Sequence, residues 1–170
     1  MSGSWERIVE DVFLFRDSCL VYAVRGPEGT VLVNAGTGLA ADHLGEVARG
    51  PVTLILTHHF RDHTDGAIRL HAAGAGVLGP YWEQEYLVDP DQHFRERQTW
   101  NSYDNRWDRF SPVRPLPVAG WLMDYEERRI AGLIWRVIPT PGVTAGASSY
   151  AVTVNGVRIV FAGEIICGDG

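Results

Sequence analysis

The stretch Val52-Thr-Leu-Ile-Leu56, which runs directly into Thr57-His-His-Phe-Arg-Asp-His63, decides how this sequence folds. Its first half is nearly all apolar, as a strand buried on both faces would be. Ligands in layered α/β proteins bind beyond the carboxyl ends of strands, and the second half begins there. Imidazole and carboxylate groups are common ligands of zinc and iron. Three histidines and one aspartate within six residues therefore predict a metal site at the end of this strand.

Short apolar runs on both sides of this motif predict a protein rich in β-strands. The spacing of apolar residues predicts helices over 39–49 and 65–73, one on each side of the buried strand. The Asn155-Gly156 pair is a strong hairpin signal between two further strands. The order of strands, helices and strands fits two sheets with helices packed outside them. The remaining predicted strands cover residues 12–15, 19–24, 30–33, 128–132, 133–138, 149–154 and 157–162.

Residues 81–121 have a different character, because aromatic residues alternate there with Asp, Asn, Arg and Pro without clear periodicity. A long irregular segment inside a compact domain is usually a functional loop or lid. We interpret the chain as a single domain over 1–170, with an aromatic-rich insertion or lid at about 81–121. Trp82, Trp100 and Trp107 have large aromatic side chains, whose burial contributes most to stability. We expect them to line the cleft above His58 and Asp62. A subunit contact or core packing is the alternative.

Composition and charge narrow the range of partners. The 170 residues suit one domain, and 45% of them are hydrophobic, as in globular proteins. The net charge is −6 without a basic cluster, which argues against nucleic acid as the partner. No targeting segment or stretch of about 20 apolar residues is present. We therefore expect a cytoplasmic protein that acts on a small molecule and not at a membrane.

Four segments, in order, resemble motifs of the metallo-β-lactamase superfamily. His58–His63 is similar to H-x-H-x-D-H, and Val31-Leu-Val-Asn-Ala-Gly36 is similar to a strand ending in D-x-G. Thr140-Pro-Gly-Val-Thr-Ala-Gly146 is similar to T-P-G-H-T-x-G, and Phe161-Ala-Gly-Glu164 to a strand ending in G-D. The resemblance covers almost the whole chain. It implies an α+β fold, a four-layer αββα sandwich, which we expect to be incomplete at its C-terminal end.

The resemblance also implies which residues bind metal. In the family the first metal takes three histidines, and the matching positions here are His58, Phe60 and Val143. Phe60 and Val143 are apolar and are therefore lost-ligand positions. Asn34 stands where the family has a carboxylate that supports the site.

The positions of the second metal are better preserved. They are Asp62, His63 and a later histidine, which should lie beyond Gly170, and Glu164 corresponds to the bridging aspartate. The implied metal residues are thus His58, Asp62, His63 and Glu164. His59 holds the variable position of the motif, so we expect it to face away from the metals, at the surface or in a supporting role.

Two functions remain open at this point. The first is a weak metal-dependent hydrolase with one zinc ion, or iron or manganese in its place, in which Asp62 positions water or acts as the base. The second is a metal-free pseudoenzyme that serves as a binding or assembly module, for example in a homo-oligomer. Phe60 and Val143 favour the module, whereas Asp62, His63 and Glu164 favour the enzyme.

Overall fold

Seven strands form the larger of two sheets in this computed structural model, which describes residues 3–91 and 110–166. The strands lie side by side in chain order. The first four are antiparallel, and parallel pairing joins the fourth to the last three. They are β1 (Glu6–Val9), β2 (Val12–Arg16), β3 (Leu20–Gly26), β4 (Gly29–Val33), β5 (Val52–Ile55), β6 (Gly76–Pro80) and β7 (Val118–Leu122).

Four antiparallel strands form the second sheet, in the order β11-β10-β9-β8. Asn155 and Gly156 join β10 to β11 with positive φ angles of 47° and 80°, as the sequence predicts for a tight hairpin. The strands are β8 (Glu127–Ile130), β9 (Leu133–Pro139), β10 (Ser148–Val154) and β11 (Val157–Phe161).

Short helices connect the parallel strands of the large sheet. Helix α1 follows a 3₁₀ turn at Leu39–His43, and α4 follows another at Tyr81–Glu83. The predicted helices over 39–49 and 65–73 are present but shorter: the first divides into the 3₁₀ turn and α1, which ends where Ala48 is extended, and the second begins only after Gly66. The helices are α1 (Leu44–Val47), α2 (Arg61–Thr64), α3 (Ala67–Ala72) and α4 (Gln84–Val88).

Alternating side chains of the large sheet build two cores, one on each of its faces. Leu32 of β4 packs with Leu70 and Leu87 on the face that the helices cover. Val31 and Val33 point the other way and pack with residues of the second sheet, including Trp135 and Tyr150. This separation follows from the period of two along a strand. It produces a helix layer and two sheet layers, the α, β and β layers of the predicted sandwich.

The segment over 81–121 is more regular than its sequence predicts. Its described part contains α4 and the edge strand β7, which pairs with β6 in parallel. The sequence does not predict this strand, because Pro115 and Pro117 stand just before a short apolar run and favour a turn. No helix in the described part of the chain is long and apolar enough to cross a membrane.

Candidate metal centre

The loop after β5 is held in place by neighbouring strands. The Asn34 N–H, which follows β4, donates to the Ile55 carbonyl at 2.9 Å, and the Ala35 N–H donates to the His63 carbonyl at 2.7 Å. The buried Tyr150 hydroxyl of β10 donates to the Leu56 carbonyl at 2.6 Å. These bonds hold Ile55 and Leu56, at the start of the segment over 57–63, and His63, at its end. They fix this segment, hereafter the ligand loop, at the carboxyl ends of β4 and β5.

A chain of hydrogen bonds fixes the proton position on His58. The Asn34 Oδ1 accepts from the Thr57 N–H and from the Thr57 hydroxyl, both at 3.0 Å. Because that hydroxyl has only one proton, its contact of 2.9 Å with His58 Nδ1 requires Nδ1–H to be the donor. His58 Nε2 therefore carries a free lone pair. Asn34 thus keeps an acceptor where the family has a carboxylate.

Three ligand atoms converge at the end of the ligand loop. His58 Nε2 lies 3.9 Å from Glu164 Oε2, and His63 Nε2 lies 3.8 Å from Glu164 Oε1. One ligand atom from each of the three residues lies within 4.8 Å of the other two. His58 is fully buried, and its Nε2 has no hydrogen-bond partner among the described residues. A buried lone pair that faces a carboxylate is costly unless a cation lies between them.

Burial also keeps His58 neutral. It lowers the pKa of His58 to about 3, and the neighbouring His63 and His59 add to the effect. Only the neutral imidazole can bind a metal, because the ligand nitrogen must be unprotonated. The environment of His58 therefore holds the form that a metal requires at neutral pH.

Asp62 stands beside this group rather than within it. Its Oδ1 lies 3.2 Å from His63 Nδ1, on the side of the imidazole opposite to Glu164. The contact with His63 is the largest cause of the lowered pKa of Asp62, so the carboxylate stays ionised. A carboxylate on one nitrogen of an imidazole orients the other nitrogen toward a metal. In this structure Asp62 is therefore placed to orient His63.

The two lost-ligand positions differ in their surroundings. The Phe60 ring is buried, and its centroid lies 5.1 Å from those of His58 and Phe110. Val143 is half-buried in the loop over 140–146, hereafter the proline loop. Apolar atoms of Phe60 thus occupy the space beside His58.

His59 and Glu83 form a buried pair that the sequence gives no reason to expect. His59 is buried, with its Nδ1 on Glu83 Oε2, and its ring stacks on Tyr86 with centroids 4.0 Å apart. Of the two alternatives for His59, a surface position or a supporting role, its burial excludes the surface position. Glu83 is 1% exposed, and its other oxygen accepts from Thr144 and Gly146.

A cleft of about 520 Å³ opens beside the three ligand atoms and is lined in part by His63, Glu164, Tyr22 and Phe161. Trp82 lies at a different groove, 60% exposed, with its indole N–H donating to Asp124 at 3.2 Å. Trp100 and Trp107 lie outside the described residues. Trp82 does not line the cleft beside the ligand atoms, and the lid role of Trp100 and Trp107 stays a prediction.

Comparison with known proteins identifies the family. The family model described as Metallo-beta-lactamase superfamily matches residues 14–169. The chain belongs to the metallo-β-lactamase superfamily. This finding confirms the family and the fold that the four sequence motifs predict. No match was found among the curated proteins.

Solved metallo-β-lactamases share the fold of the chain. An enzyme from Cronobacter sakazakii, described by its HARLDQ motif, is 23% identical with a TM-score of 0.71 over 95% of this chain and 62% of its own. FEZ-1 from Legionella gormanii is 18% identical, with a TM-score of 0.68 over 96% and 64%. BJP-1, a subclass B3 enzyme of Bradyrhizobium japonicum, is 16% identical, with a TM-score of 0.66 over 94% and 60%. The chain thus spans less than two thirds of each of these proteins.

Proposed function

We propose that this protein is a metal-dependent hydrolase that holds one metal ion between His58, His63 and Glu164. The observation that carries the proposal is the convergence of two imidazole Nε2 atoms on one carboxylate, with 3.8 and 3.9 Å between the facing atoms. Hydrogen-bond donors at both Nδ1 positions would leave both Nε2 lone pairs directed at Glu164. A divalent cation satisfies all three groups at once.

The donor set fits zinc. Two imidazoles and a carboxylate are the three protein ligands of several catalytic zinc sites, in which the fourth position stays open. Iron and manganese also accept such ligands and are the alternatives. A zinc ion held there would supply Lewis-acid chemistry, lowering the pKa of water and polarising a carbonyl or phosphoryl group.

The residues around the three ligands have distinct roles in this proposal. Thr57 keeps the proton of His58 on Nδ1, and the Asp62 carboxylate, whose Oδ1 lies 3.2 Å from His63 Nδ1, would attract the proton of His63 to that nitrogen. Asp62 is 44% exposed and its lowered pKa keeps it ionised, so it can stabilise a proton on His63 Nδ1. The small-molecule substrate would bind in the cleft beside His63 and Glu164.

A single ion would make the hydrolase weak. Phe60 and Val143 replace two imidazoles of the family's first metal, and the Phe60 ring fills space beside His58. Without a second cation, the reacting water and the leaving group share one source of positive charge. We therefore expect turnover below that of a two-metal relative.

The same aromatic packing favours the second candidate, a non-catalytic binding module. Phe60 lies against both His58 and Phe110, as in a pocket that has been filled. This candidate predicts a folded protein without bound metal or hydrolytic activity.

Metal content and hydrolysis of the full chain separate the two candidates. The protein should be purified without chelator, analysed for zinc, iron and manganese, and assayed on lactam, thioester, lactone and phosphodiester substrates. The hydrolase predicts about one metal ion per chain and activity that chelator removes and zinc restores. Glu164→Gln should reduce both, whereas Glu127→Gln on the distant β8 should change neither. Folded protein without metal would establish the binding module instead.

A further inference from the structure

Glu83 is a buried carboxylate whose two oxygens serve two different loops. Oε1 accepts from the Thr144 hydroxyl and from the Gly146 N–H, both at 2.8 Å. Oε2 accepts from the His59 N–H at 2.9 Å and from His59 Nδ1. A carboxylate has about four acceptor positions, and all four are used here.

Two of these four donors cannot adapt to a change at Glu83. The His59 and Gly146 N–H groups belong to the backbone and can only donate, whereas the Thr144 hydroxyl can turn and the imidazole can move its proton. A glutamine has a single acceptor oxygen, so it could serve only one of the two backbone N–H groups. The carboxylate is therefore the side chain that satisfies both loops.

The packing around Gly146 supports the same conclusion. A Cβ atom there would lie 2.5 Å from Glu83 Oε1 and 2.8 Å from the Trp82 carbonyl carbon. The absence of a side chain at Gly146 is thus what lets the proline loop approach the carboxylate. Because Val143 supplies no metal ligand, this close approach serves a purpose other than delivering an imidazole.

We propose that Glu83 is a positioning residue, which fastens the ligand loop to the proline loop and thereby fixes the backbone of His58. Its contact with the His59 N–H lies one residue from His58, so the orientation of the His58 imidazole depends on it. The effect on metal binding rests on the proposed metal site. The fastening of the two loops does not, and it is measurable in metal-free protein.

Amide hydrogen exchange of Glu83→Gln in the metal-free full chain tests the fastening. We expect one of the two amides, His59 or Gly146, to lose roughly tenfold or more of its protection, because one buried N–H is left without an acceptor. The other amide and those of β10 should keep theirs. Val154→Ala is the matched control, since Val154 is buried at the far end of β10. It should lower protection across the fold without singling out either loop.

Zinc affinity, measured by chelator competition, tests the effect on the site. Glu83→Gln should weaken binding about tenfold or more, as expected for a group that orients a ligand, whereas Val154→Ala should lower Tm without changing the affinity. If both amides stay protected in Glu83→Gln, or exchange only as the Val154→Ala protein does, the fastening is refuted. If an amide loses protection but the zinc affinity is unchanged, the positioning role is refuted. A wild-type protein that binds no zinc would refute the proposed function, and the amide pattern would still decide the fastening.

Discussion

Replacing Thr57 by valine should weaken both the fold and the metal site through one missing hydroxyl. Valine has nearly the shape of threonine, so the main change is chemical. The Asn34 Oδ1 keeps its bond from the backbone N–H of residue 57, but His58 Nδ1–H loses its acceptor. An unsatisfied buried donor costs about 1–3 kcal/mol of unfolding free energy. For a chain of this size Tm should fall by about 2–4 °C for each kcal/mol.

The metal site should respond more strongly than the fold. Without an acceptor at Nδ1, the proton of His58 can move to Nε2, the atom that faces Glu164. Loss of such an orienting contact typically costs 10–100-fold in metal affinity. Urea unfolding in the presence of chelator measures the change in unfolding free energy, and chelator competition measures the change in zinc affinity.

Two further substitutions control this experiment. Thr57→Ser keeps the hydroxyl and should retain most of the zinc affinity. Thr153→Val makes the same chemical change at an exposed position of β10 and should change the stability by less than about 0.5 kcal/mol. If Thr57→Val binds zinc as tightly as the wild type, the assignment of the His58 proton is wrong.

The remaining predictions concern the lost ligands and acid stability. The double variant Phe60→His, Val143→His should raise zinc binding far more than the sum of the two single changes, because three imidazoles including His58 would share one ion. A folded double variant with wild-type zinc content would show that these two residues do not border a vacated site. The unfolded state binds more protons than the folded state between pH 6.5 and 3, because the pKa of His58 falls to about 3. The unfolding free energy of metal-free protein should therefore fall as pH drops below about 6.5, by about 2–3 kcal/mol at pH 4.5. In urea unfolding experiments, the unfolding free energy of His58→Asn should depend much less on pH. An equal pH dependence in the two proteins would contradict the buried neutral imidazole. Gly146→Ala should lower Tm because its Cβ would meet Glu83, while Gly45→Ala, which meets nothing within 4 Å, should not.

The fold could be predicted from local features of the sequence. The hairpin at Asn155 and Gly156 and the buried strand before His58 each follow from a few neighbouring residues. Strand β7 was missed because its apolar run is short and flanked by prolines, and its pairing with β6 involves residues about 40 positions away. Pairing of that kind leaves no periodic signal within a short window.

The candidate site was predictable in part. His58, His63 and Glu164 follow from motifs, and the structure brings their ligand atoms together. The motifs do not indicate that Asp62 lies on the far nitrogen of His63, because that depends on side-chain direction. No local sequence pattern indicates the role of Glu83, because its hydrogen-bond donors lie 24, 61 and 63 residues away in sequence. An isolated glutamate before a short helix has the same sequence appearance as a solvated one.

Zinc-edge X-ray absorption of the full chain tests the proposed metal centre most directly. We predict about one zinc per chain, bound by two imidazole nitrogens at about 2.0–2.1 Å and by oxygen at about 2.0–2.2 Å. His63→Ala should lose one imidazole from the spectrum, and Glu164→Gln should weaken binding without removing an imidazole. Zinc bound with the same spectrum in both variants, or a folded wild-type protein that takes up no zinc, would contradict the centre built from His58, His63 and Glu164.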